Sequence, residues 1–174
     1  MLGVYPTQGE ANRFSVKKII ETYDIGGVIF FKGHPSQIAS WTNDFQKACK
    51  IPLFASIDGE WGINMRVDST IQYPRQLTLG AIKDNGLIFQ MGEQIGEECK
   101  AIGININLAP VIDVNNNINN PVINDRSFGE DKYNVAIGEY SVGALAFNRH
   151  YKHKWFIGLD DMEPPGDFCK LLDD

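Results

Sequence analysis

At 174 residues, with 43% hydrophobic and 22% charged side chains, the chain has the length and composition of one soluble globular domain with a sizeable core. A formal net charge of -6 argues against a nucleic-acid partner, since phosphate-backbone binders are usually basic. No run of about 18 apolar residues is present to span a membrane, and three widely spaced cysteines (Cys49, Cys99, Cys169) suit neither a metal cluster nor a disulfide framework.

In chain order, Met1–Tyr5 reads as the end of a strand, followed by a polar turn over Thr7–Asn12. The opening residues show neither a basic n-region nor a long apolar core, so no signal peptide is read here; a start clipped upstream would hide one, and the compartment stays open. Arg13–Asp24 carries Phe14, Ile19, Ile20 and Tyr23 at helical spacing. Gly26–Gly27 breaks that pattern ahead of a buried strand over Val28–Phe31, and Lys32–Pro35 forms a loop. Pro35 suits a first helical position, and Ile38, Trp41, Thr42, Phe45 and Ala48 make one helical face up to Lys50.

The stretch Ile51–Gly62 comes next. Pro52–Ile57 is a near-continuous apolar run, the pattern of a strand buried on both faces, and Asp58 closes it. In a parallel α/β architecture the carboxyl ends of the strands are where ligands bind. Glu60, Trp61 and Arg66 follow within a few residues. A carboxylate, an aromatic face and a guanidinium fork are the side chains expected around a sugar ring; an Asp58–Arg66 pair that only orders the loop is the equally open alternative.

Thr70–Lys83 is irregular, punctuated by Pro74 and Gly80. Asp84–Ala101 predicts a long helix with Leu87, Ile88, Met91, Ile95 and Cys99 on one side, Asp84 as its N-cap and Gly103 as its stop. Ile104–Val114 reads as a fourth strand, Asn115–Asp131 as a long polar loop and Lys132–Phe147 as a helix. Strict alternation of strands and helices predicts a parallel sheet, either doubly wound or part of a (β/α)₈ barrel. No glycine-rich phosphate loop follows any strand, which lowers the nucleotide-binding alternative. The length falls short of the about 250 residues of a complete barrel.

Three stretches resemble the N-terminal catalytic domain of the family 3 glycoside hydrolases, the β-N-acetylhexosaminidase and β-glucosidase group. They are GGVIFF at 26–31, IPLFASIDGEWGINMR at 51–66 and GININLAPVIDVNNNINNPVINDRSFGED at 103–131. The second resembles the family's strand followed by D-x-E-G-G-x-x-x-R, with Trp61 in place of the first glycine. The third resembles its N-x-A-P-V-x-D-V…N-P-V-I-x-x-R-S-F-G-E-D signature.

The resemblance implies a partial (β/α)₈ barrel of about four βα units over residues 1–147, and hydrolysis of O-glycosyl bonds with retention. By resemblance Asp58 accepts hydrogen bonds from sugar hydroxyls, while Arg66 and Arg126 donate to hydroxyls or to an N-acetyl group. Glu60, Trp61, Asp113 and Asp125 are supporting candidates; Asp113 either orders the asparagine-rich loop or pairs with Arg126. The asparagines Asn115–Asn117 are read as turn caps.

Residues 148–174 depart from the family. The K-H-F-P-G-H-G loop that should follow is missing, and His150 and His153 stand in no matching word. Neither the nucleophile nor the acid/base is found; Asp160 and Asp161 are acidic but unplaced. The chain thus looks truncated at both ends, an incomplete and inactive fragment or a sugar-binding remnant. No metal or cofactor is implied, and open barrel edges suggest self-association.

Overall fold

The computed structural model describes residues 1–117 and 119–138. Four strands form one sheet in the order of the sequence: β1 (Leu2–Val4), β2 (Gly27–Phe30), β3 (Phe54–Ile57) and β4 (Ile106–Asn107). Every pairing is parallel, with Leu2 opposite Val28, Val28 opposite Ala55 and Ser56 opposite Ile106. A doubly wound sheet reverses its strand order at a switch point; here the order runs straight through, as in a barrel.

Helix α1 (Glu10–Tyr23) links the first two strands and α2 (Pro35–Ala48) the second and third. A one-turn helix α3 (Gln76–Leu79) and the long α4 (Asn85–Ala101) precede β4. Residues 132–138 are again helical, which agrees with the start of the expected helix over Lys132–Phe147. The rest of that helix, the 147 boundary and the tail with His150, His153, Asp160 and Asp161 lie outside the described residues.

The chain divides into two compact units. Met1–Tyr73 with Glu98–Ala109 makes the first, and Pro74–Glu97 with the chain from Pro110 makes the second. In the first unit α2 presents Ile38, Trp41, Thr42 and Phe45 inward, the stripe read from sequence. Phe45 stacks on Phe30 of β2 at 6.3 Å and meets Trp41 edge-on at the same separation. Each of these fully buried rings contributes roughly 1.5–3 kcal/mol. The helix starts cleanly because Pro35 occupies its first turn and the His34 ring nitrogen accepts from the Ser36 amide.

Gly27 permits β2 and β3 to approach, since a Cβ there would lie 2.8 Å from the Phe54 carbonyl oxygen. Gly103 takes φ +79 after α4, and the Ile104 amide reaches back to the Cys99 carbonyl at 2.9 Å. That is the left-handed stop expected from sequence. At the other end of α4, Asp84 accepts from the Gly86 amide at 2.9 Å.

Five expectations need correction. Helix α1 begins at Glu10, inside the expected turn, because a 3₁₀ turn at Pro6–Gln8 leads straight into it. Its buried stripe is Val16 and Ile20; Phe14 and Tyr23 are 71% and 72% exposed. Leu87 likewise points out of the stripe of α4, whereas Ile88, Met91, Ile95 and Cys99 are buried. β3 is not covered on both faces at its start, where Phe54 is exposed. The fourth strand is two residues rather than eleven, because Pro110 has no amide to extend a ladder and the chain passes there into the second unit.

In the second unit the polar loop is ordered by hydrogen bonds of its own side chains and backbone. The Ser127 hydroxyl donates to the Asp113 carbonyl at 2.5 Å, and the Asn115 amide donates to the Gly129 carbonyl at 2.8 Å. Phe128 is buried beside Gly80, where a Cβ would run into its carbonyl.

Candidate active site

Asp58 follows β3 directly, at the carboxyl edge of the sheet. Its Oδ2 lies 2.6 Å from Nη2 of Arg66, and its backbone carbonyl accepts from Nε of the same arginine at 3.0 Å. The two side chains are 27% and 23% exposed, so the pair is half-sheltered yet open to a ligand. Among the described residues Oδ1 of Asp58 has no hydrogen-bond partner, and an ionised carboxylate accepts on both oxygens.

The turn that returns Arg66 to Asp58 is a tight one. Gly62 (φ +94) donates to the Gly59 carbonyl, and a 3₁₀ turn over Ile63–Met65 brings the guanidinium back. The loop after β2 braces it from the side. Val67 bridges Gly33, the Asp68 amide donates to the Gly33 carbonyl at 2.9 Å, and the Arg66 guanidinium lies 5.5 Å from the Phe31 ring centroid. Phe31 stacks in turn on Tyr5 at 5.4 Å. A guanidinium lying on an aromatic face, with one nitrogen on a carboxylate and another on a backbone carbonyl, loses much of its rotamer freedom before any ligand arrives.

The structure brings together Asp58, Arg66, Glu60 and Trp61 within the first unit. Glu60 is 5% exposed and buried in the turn. Trp61 is half-buried. Arg126, Asp113 and Asp125 belong to the second unit. There Nη1 of Arg126 donates to the Val122 carbonyl at 3.1 Å, and Asp125 pairs with Arg75 at 3.0 Å. The Asp113 backbone carbonyl accepts from the Ser127 hydroxyl within the loop. Asn117 and Asn120 cap turns through their side-chain oxygens, as expected of loop asparagines.

Two residues that sequence reasoning passed over carry buried, partnerless oxygens among the described residues: Tyr73 Oη and Glu98 Oε2. Burial and the nearby Glu98 push the Tyr73 phenol up to about 12. Burial raises the Glu98 carboxyl, opposed by a hydrogen bond from the Ile71 backbone. Burial, then Glu98, likewise lifts the Cys99 thiol to about 12. The available signal was Glu98 itself, an acid beside Cys99 on the apolar side of a helix.

The model of the glycosyl hydrolase family 3 N-terminal domain matches residues 6–159. The chain belongs to that family. Beta-hexosaminidase A of Pseudoalteromonas piscicida is 39% identical over 129 residues, covering 67% of this chain and 22% of that protein. A beta-N-acetylglucosaminidase/beta-glucosidase of Cellulomonas fimi is 30% identical over 143 residues, covering 80% of this chain and 25% of that protein. Among solved structures, the family 3 beta-N-acetylglucosaminidase of Paenibacillus sp. str. FPU-7 superposes with a TM-score of 0.65 at 35% identity, over 75% of this chain and 26% of that one. This family 3 chain thus spans about a quarter of the length of these relatives. Its straight-ordered parallel sheet is part of the family's (β/α)₈ barrel.

Proposed function

We propose that this family 3 domain supplies the sugar-gripping side of a retaining glycoside hydrolase acting on terminal β-N-acetylglucosaminides or β-glucosides. Asp58 accepts hydrogen bonds from ring hydroxyls, Arg66 holds its carboxylate in place, and Arg126 donates to a hydroxyl or an N-acetyl group. The observation that carries this reading is the Asp58 carboxylate at the strand-end rim, 27% exposed, with Oδ2 held by Arg66 at 2.6 Å and Oδ1 without a hydrogen-bond partner among the described residues. The relatives' activity on hexosaminides supports the choice of sugar. Retention needs a nucleophile and an acid/base flanking the bond, about 5 Å apart where both are carboxylates; none of the described residues is assigned either role.

Calorimetry with N-acetylglucosamine on the wild type and Asp58→Ala tests the binding half. Heat from the wild type that Asp58→Ala abolishes supports it; equal heats for the two proteins remove Asp58 from the site. Release of nitrophenol from an aryl β-N-acetylglucosaminide tests the chemical half. Binding without release leaves the sugar-binding remnant as the function of this chain.

A second reading concerns partners. Among the described residues β1 pairs only with β2, and β4 only with β3, so each outer strand keeps an open edge. Such edges, with Ile51, Phe54 and Ile112 exposed, favour self-association.

A further inference from the structure

Asn107 ends β4 opposite Ile57, and the Leu108 amide carries the ladder one step on to the Ile57 carbonyl at 2.7 Å. Beyond that step the Asn107 side chain takes over from the main chain. Its Oδ1 accepts from the Gly59 amide at 2.9 Å, and its Nδ2 donates to the Gly59 carbonyl at 3.2 Å. One carboxamide thereby meets both polar groups of a buried residue: it supplies the partner of the Gly59 amide and a second donor, beside the Gly62 amide, to its carbonyl. A Cβ at position 59 would sit tightly, 3.1 Å from the Gly62 carbonyl oxygen, and in ordinary contact with Asn107 Oδ1 at 3.5 Å.

Asp58 therefore stands between two anchors. Arg66 Nε holds its own carbonyl at 3.0 Å, and Asn107 grips the residue that follows. We propose that Asn107 is a positioning residue for Asp58: its two-point clamp on Gly59 sets the direction of the Asp58 carboxylate and thereby its affinity for sugar hydroxyls. This deepens the proposed sugar site and rests on it for the binding readout alone.

The full chain is compared as wild type, Asn107→Ala and Asn107→Asp. The carboxylate of Asn107→Asp keeps the acceptor for the Gly59 amide and loses the donor to its carbonyl, at nearly unchanged volume, so it serves where Asn107→Ala does not fold. At neutral pH both variants should weaken N-acetylglucosamine binding about tenfold, as coupled neighbours do. Hydrogen exchange at the Arg66 Nε–H, followed by NMR, should quicken by a similar factor. On acidification the Asn107→Asp carboxyl regains a proton to donate, and its exchange should return toward that of the wild type at the same pH. A merely structural asparagine would lower the melting temperature and leave Arg66 exchange untouched; that result in folded variants overturns the proposal. If the wild type gives no heat with the sugar, the role of Asp58 in binding fails, and the Arg66 exchange still decides the clamp.

Discussion

The Arg66 side chain does three things at once: it pairs with the Asp58 carboxylate, donates to that residue's carbonyl and lies against Phe31. A lysine cannot reproduce the planar fork. Arg66→Lys should therefore weaken N-acetylglucosamine binding by about tenfold, about the loss of one charge-assisted hydrogen bond, as read by calorimetry. Glu98 offers a pH-dependent counterpart. Its folded carboxyl is raised above the ordinary 4.5, chiefly by burial. The folded chain thus holds the proton to higher pH than the unfolded chain does, and stability is lost as pH rises through the folded value. Tyr73 and Cys99 face the same carboxyl and stay neutral well above that range. Glu98→Gln keeps an acceptor for the Ile71 amide and removes the charge. Its melting temperature should match the wild type near pH 4 and exceed it by a few degrees near pH 8; a gain of equal size at both values would count against buried charge as the cause.

Element boundaries in this chain are set by backbone chemistry at single positions. Gly103 is the clearest, with φ +79 and a would-be Cβ 3.0 Å from Cγ2 of Thr42 on α2. Gly103→Ala combines left-handed strain with a clash against a β-branched neighbour, and should cost about 1–2 kcal/mol in urea unfolding. Gly9→Ala also meets positive φ, at +71, but open space around the Cβ, so it should cost less. The two substitutions together separate strain from crowding.

For the whole molecule, the proposed self-association rests on the outer strands of the parallel sheet, β1 and β4, each of which pairs on one side among the described residues. Sedimentation velocity should show species heavier than 19.5 kDa whose proportion rises with concentration. A single monomeric boundary with a cooperative calorimetric transition would remove the self-association reading. The family assignment stands apart from that outcome, because it rests on a match over residues 6–159.

Much of this was legible in the residues. Alternating apolar runs and helical stripes determined a parallel α/β chain, since a strand buried under helices must be apolar and a crossover helix must repeat near 3.6. Gly103, Pro35 and Asp84 announced their turns because each has a local, backbone-level effect. The words around Asp58 and Arg66 announced the pair, which sit eight positions apart and close through one turn. What the tertiary structure alone decided is non-local. Whether Phe14 or Val16 faces the core depends on where α1 lies against its neighbours. Asp125 pairs with Arg75, fifty positions away, and Asn107 grips Gly59 across the sheet. Spacing along the chain carries the period of an element, but the partner of a side chain is set by which strands lie side by side, and only the folded sheet supplies that.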